Sequence, residues 1–517
     1  MTAAAYDPQE KSLAELAADL LAGRTSSVEL VTLYEQRIER LNPQLRAVIA
    51  VNPGALAAAA AADADRAAKK ALGPLAGLPI LIKDNIESAD DMATTAGSLA
   101  LKDNKTGRDA PVAARLRAAG AIILGKANLS EWANIRSRHS ISGWSATGGQ
   151  TRNPYALDRN TCGSSSGSGA AAAASLAAAA IGTETDGSVT CPSAINGLVG
   201  LKPTVGLVSR THIVPISHTQ DTAGPMTRDV RDAALLLTVM AGSDPADAAT
   251  ASADAHKTDY LAGLAPDAMK GVRVGVLRFA ADFHPETELV FKKALATLEG
   301  AGATLVEIAK FPHDKDLRAL EHVILMTELK ADLNAYLATT APNLVPSRTL
   351  ADLIAFNKQH AEAEMPFFGQ DQFEAAELTK GLDDPAYLAA KADAHRLAGP
   401  EGIDAMLQAE KLDVLIAPTL GPAWLIDPVL KDRFVSGGVG GAPAIAGYPH
   451  LTVPMGLVDG LPVGLSFIGA AWSEARLLAY GYAFEQAAHA RVPPTYAPSA
   501  QIASKASWLG AAEPDRR

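Results

Sequence analysis

The sequence predicts an α/β protein in which helices cover both faces of a β-sheet. Two observations carry this. Short apolar runs of strand length recur at 78–82, 121–124, 272–277, 304–308, 414–416, 451–454 and 463–468, and segments of helical period separate them. Composition is that of a globular chain, 48% hydrophobic and 20% charged, which supplies a large core and excludes a disordered or fibrous protein. At 517 residues, a prior of about 150 residues per domain predicts three or four domains.

Taken in chain order, Ser26 and Glu29 predict a capping box, with Val28, Val31, Tyr34, Ile38 and Leu41 following at helical spacing. Residues 54–70 read as an alanine-rich helix. The run 78–82 leads straight into Lys83, Asp84 and Asn85, a buried strand ending in polar residues. Asp109 and Pro111 open a helix that stops at Gly120, and a strand follows at 121–124. From 142 to 168 the chain is rich in Gly, Ser, Thr and Asn with almost no apolar period, which is too long for a plain connection in a compact protein and reads as functional. The alanine run that follows, 170–181, favours helix. Residues 314–410 are helical and charge-rich, Glu474 to His489 is another helix, and 508–517 reads as a loose tail.

Charge and cysteine content narrow the function classes. The net charge is -11 with both signs interspersed, whereas a nucleic-acid binder carries a basic face. No run reaches the 18 or so apolar residues of a membrane span. The start lacks a basic segment before an apolar stretch, so a cytoplasmic protein is expected. Two cysteines, Cys162 and Cys191, exclude a disulfide framework and a thiolate metal cluster, and read as small buried thiols.

Several familiar motifs fail on inspection. Gly120 to Lys126 resembles a phosphate-binding loop, but Ala127 stands where a magnesium-binding hydroxyl belongs and the intervening residues form a strand. Gly163-Ser164-Ser165-Ser166-Gly167 fits a nucleophile elbow in letters only, because a Pro- and Asp-bearing loop precedes it instead of a strand. Lys105-Thr106-Gly107 lacks a companion S-x-x-K, and no HExxH or clustered pair of histidines occurs; the histidines read as surface or packing residues. What remains is a dense Gly/Ser block, 162–169, leading into a helix-favouring run, and a second small-residue block, 182–189, after an apolar stretch. Consecutive backbone amides in such blocks suit an oxyanion.

These blocks, together with GLPILIKDN at 77–85, Asp221-Thr-Ala-Gly-Pro-Met226, GYPHLTVPM at 447–455 and GLPVGLSFIG at 460–469, resemble the amidase signature family over roughly residues 12–490. Within it, GTETDGS, INGLVGLKPTVGLVSR and ISHTQDTAGPM are most similar to bacterial peptide amidases. The resemblance implies one large mixed sheet in a single domain over 1–517, with 314–410 as a helical variable region. It also implies a Ser–cis-Ser–Lys triad: Lys83 as base, Ser164 as the cis-serine and Ser188 as nucleophile, with backbone amides of Thr185, Asp186, Gly187 and Ser188 as oxyanion donors.

Physical chemistry supports those roles. A serine hydroxyl needs a neighbouring base, and lysine serves only when burial strips its proton. The chain departs from the family at Cys162 and Asp186, where many members have glycine, and at Thr190, where many have arginine. Thr190 is therefore expected to line a substrate site that prefers neutral groups over carboxylates.

The expected function is an acyl-enzyme amide hydrolase with no metal and no cofactor, acting on small-molecule or peptide amides such as C-terminal peptide amides. Alternatives are an aryl acylamidase, esterase or carbamate hydrolase of the same family, or the A subunit of a tRNA-dependent amidotransferase. The expected partners include neither nucleic acid nor membrane, and the chain is expected to be a monomer or homodimer.

Overall fold

The computed structural model describes residues 6–500 apart from 312 and 436; the tail expected at 508–517 lies outside the described residues. Its strands are β1 (Val48–Val51), β2 (Pro79–Lys83), β3 (Ile122–Ala127), β4 (Trp144–Ser145), β5 (Gly149–Gln150), β6 (Ala179–Glu184), β7 (Val199–Lys202), β8 (Thr222–Thr227), β9 (Arg273–Leu277), β10 (Thr304–Ile308), β11 (Val414–Pro418), β12 (His450–Val458) and β13 (Leu461–Ile468). Strands β4 and β5 pair with each other. The other eleven form one mixed sheet in the order β1-β3-β2-β6-β8-β7-β12-β13-β11-β9-β10.

Every residue of β2, β3, β6 and β11 is buried, so both faces of the sheet centre are covered. That is why these strands read as continuous apolar runs rather than alternating ones. Ile80, Leu81 and Ile82 are each wholly buried, which contributes roughly 1.5–3 kcal/mol per side chain. Strand β2 runs parallel to both β3 and β6, with Ile80 beside Ala179 and Ile82 beside Ile181. The carboxyl ends of β2 and β6 therefore lie side by side, and Lys83 closes one while Thr183 and Glu184 close the other. Open α/β sheets build their sites at that edge.

Two local expectations change. The alanine run splits: residues Ser166–Ala173 form a helix, the chain turns at Ser175 with a left-handed φ of 52°, and Ala179 starts β6. Alanine tolerates either state, and here packing between neighbouring strands decides for the strand. The predicted box at Ser26 is half formed. Its hydroxyl accepts from the Glu29 N–H, but the Glu29 carboxylate takes the Thr25 hydroxyl instead; a complete box stands at Ser12 and Glu15.

Segment 314–410 is helical through Asp314–Ala338, Leu350–Gln359 and Pro385–Ala398. No helix among the described residues is long and apolar enough to cross a membrane.

Candidate active site

Lys83 is wholly buried at the end of β2, and its Nζ lies 2.7 Å from Ser164 Oγ. The same Nζ reaches Thr183 Oγ1 at 2.9 Å and the Thr183 carbonyl at 3.2 Å. No carboxylate bonds to it among the described residues. Burial lowers its pKa from 10.5 to about 7, against the opposing pull of the Asp221 and Glu184 charges. Asn85 holds Thr183 Oγ1 from the other side at 2.9 Å.

Ser164 is buried and follows a cis peptide bond from Gly163. Glycine is required at 163 because a Cβ there would stand 2.1 Å from the Ser130 hydroxyl. Ser188 follows the end of β6 in a tight turn, and Gly187 supplies the left-handed φ of 74° which that turn needs. The segments bearing the two serines are joined by the Ser165 N–H on the Ser188 carbonyl at 3.2 Å. The Ser188 side chain, 8% exposed, makes no hydrogen bond among the described residues. The structure thus brings Lys83 and Ser164 into contact and sets Ser188 on the adjoining turn.

Backbone N–H groups of Thr185, Asp186, Gly187 and Ser188 donate to no carbonyl or side chain among the described residues. The next two N–H groups differ, and sequence reasoning missed why. Glu184, 1% exposed, receives Val189 N–H at 2.7 Å, Thr190 N–H at 2.9 Å and Thr190 Oγ1 at 3.3 Å. It fastens the turn from behind and leaves the four preceding donors free. The signal available in sequence was an acid just past an apolar stretch. Replacing Glu184 with Ala strands two buried N–H groups, and the expected loss is roughly 2–4 kcal/mol. Denaturant unfolding checks this, and an unchanged midpoint would contradict the role.

Thr190 is 1% exposed with its hydroxyl committed to Glu184, so only the remainder of its side chain faces a cavity. The cysteines are not free thiols, which corrects the sequence reading. Cys162 and Cys191 form a disulfide with Cα atoms 6.0 Å apart, within the usual range for such a bond. Cysteine count alone carried no distance; folding the helix Ser166–Ala173 back onto β6 creates it. The bond links the two serine-bearing segments.

Two cavities flank the site. One, of about 400 Å³, is lined by Asn85, Thr183, Thr185 and Asp221 with apolar Val214 and Ile216. The other, of about 320 Å³, is lined by Gly163, Asp186 and Gly187 with Trp424, Phe434 and His450. Thr183 and Thr185 line the first, and Asp186 and Gly187 the second. His218 and Asp332 line the first cavity and cluster with Glu328, but the three are bonded to one another and to Ser217, Thr219 and Tyr387. Lys126, from the rejected phosphate-loop motif, is buried in β3 against the Ile86 carbonyl and Thr94.

Comparison with known proteins places this geometry in context. The amidase family model matches residues 29–478. A probable amidase of Arabidopsis thaliana is 38% identical over 501 residues, covering 95% of this chain and 92% of the relative. A putative amidase of Schizosaccharomyces pombe is 33% identical over 512 residues, covering 92% and 84%. Among solved structures, the peptide amidase of Stenotrophomonas maltophilia superposes with a TM-score of 0.91 at 52% identity, over 94% of this chain and 99% of that one. A bacterial aryl acylamidase gives 0.75 at 25% identity, over 92% and 96%.

Proposed function

The chain belongs to the amidase family and is an amide-hydrolysing enzyme, and on that premise we propose that Lys83, Ser164 and Ser188 form its catalytic triad and that it cleaves neutral amides, C-terminal peptide amides in particular, through an acyl-enzyme. The observation that carries the triad is the buried Lys83 Nζ with a serine hydroxyl 2.7 Å away and no carboxylate bonded to it. A neutral amine there has two N–H groups for the two Thr183 oxygens and one lone pair left for the Ser164 proton.

Ser188 attacks the carbonyl carbon while its proton passes to Ser164, whose own proton passes to Lys83. Negative charge develops on the carbonyl oxygen, and the unpartnered N–H groups of segment 185–188 stand ready to receive it. Collapse breaks the C–N bond, and the departing nitrogen takes the proton back from Lys83 through Ser164. Water then attacks the Ser188 ester by the same route in reverse and frees the acid. The peptide-amide preference is supported by the likeness at 52% identity to a peptide amidase and by the absence of an arginine at position 190.

Because the base works only when unprotonated, kcat/KM on a neutral amide should fall about tenfold per pH unit below about 7 and level off above it. A profile from pH 5 to 9 checks this. A flat profile across pH 6 to 8 would contradict a lysine base.

A further inference from the structure

The 320 Å³ cavity carries polar groups that the triad chemistry does not use. Asp186 lines it, open to the cleft, and its carboxylate makes no hydrogen bond among the described residues. Asp432 also lines it, receiving Ser142, Asn160 and Trp424. No lysine or arginine lines this cavity among the described residues. Desolvation, and after it the Glu321 and Glu184 charges set against those of Arg318 and Lys202, hold the Asp186 carboxyl well above its usual range. A cation entering the cavity favours the charged form of that carboxylate.

His450 supplies an independent observation. It is 1% exposed and forms part of the cavity wall. Its Nε2 lies 2.6 Å from Ser466 Oγ, while Nδ1 has no partner among the described residues. Ser466 spends its proton on Thr419 Oγ1 at 2.9 Å, so its oxygen must accept from Nε2–H, and Nδ1 is left as a bare acceptor. Burial and the Lys202 charge lower the His450 pKa to about 3, which keeps the ring neutral. Asp186 is thus the acceptor open to the cavity, while His450 Nδ1 is enclosed within the wall, and the rest of the wall includes the apolar faces of Trp424 and Phe434.

We propose that this cavity is a subsite for a basic side chain, a guanidinium or ammonium group, on the residue that bears the scissile carboxamide. Long basic side chains combine an apolar stem with a charged head, which suits aromatic walls with acceptors beside them. The inference rests on the peptide-amide reading. When ammonia is the leaving group, whatever fills the cavity belongs to the acyl half of the substrate.

The probe is a pair of matched ligands, acetyl-arginine amide and acetyl-citrulline amide, alike in shape and differing in charge. Their Kd values are measured with Ser188→Ala protein, and ammonia release is measured with the wild type. The expected result is a Kd about tenfold or more lower for the arginine amide at low salt, narrowing as salt rises. In the Asp186→Asn, Ser188→Ala double variant the two Kd values should converge; if the Asn variant does not fold, Asp186→Ser takes its place. Equal affinities, no binding of either ligand, or a gap that survives loss of the carboxylate would overturn the subsite. An arginine preference without ammonia release would uphold the subsite and overturn the peptide-amide reading instead.

Discussion

Replacing Ser188 with Ala should lower kcat by about 10⁴-fold or more while the fold survives. The hydroxyl makes no hydrogen bond among the described residues, so its removal leaves no buried partner stranded and melting temperature should stay near that of the wild type. Steady-state kinetics on a neutral amide, read beside a thermal melt, checks both halves. Residual activity above about one per cent of wild type, with the fold intact, would exclude Ser188 as nucleophile. Ser164→Ala should be severe but smaller in effect, since a water in the vacated space can bridge Lys83 to Ser188.

The second large effect belongs to Lys83. Lys83→Met keeps an unbranched stem in a wholly buried site and removes the amine, and kcat should fall by at least about 10³-fold. Stability should not suffer. Burial holds the Lys83 pKa at about 7 against an ordinary 10.5, so the folded state opposes the charge that the unfolded chain carries at neutral pH. Lys83→Arg separates base from mere cation, because a guanidinium cannot give up its proton at any working pH. The expected result is an inactive arginine variant. Activity in Lys83→Arg would mean that positive charge, not proton transfer, is what the site uses.

How far the sequence was legible depended on the range of each signal. Strands appear in the sequence as short apolar runs, so β2, β3, β9, β11 and the β12–β13 pair could be placed without coordinates, as could the edge strand β10, whose residues are half-buried or exposed. The alanine run resisted because alanine carries little preference between helix and strand, and the contacts that decide it come from β2 and β8. Lys83, Ser164 and Ser188 stood out through motif resemblance. Their chemical partners did not: Thr183 holds the lysine through a contact 100 residues away in sequence. Glu184 looked like any acid past an apolar stretch, and His450 like any histidine. The disulfide was missed because two cysteines 29 residues apart carry no sign of distance until helix and strand fold back on each other.

The central claim is that an acyl group passes through Ser188. Its most direct test is to quench the enzyme during turnover of a slowly deacylated ester and map the adduct by peptide fragmentation. Ser164 and Ser188 lie on one tryptic peptide, so fragmentation must resolve them. The account predicts one acyl group per chain on Ser188, lost on hydroxylamine treatment and absent from Ser188→Ala and Lys83→Met. An adduct on Ser164, or turnover with a kinetic burst and no adduct on Ser188, would contradict it.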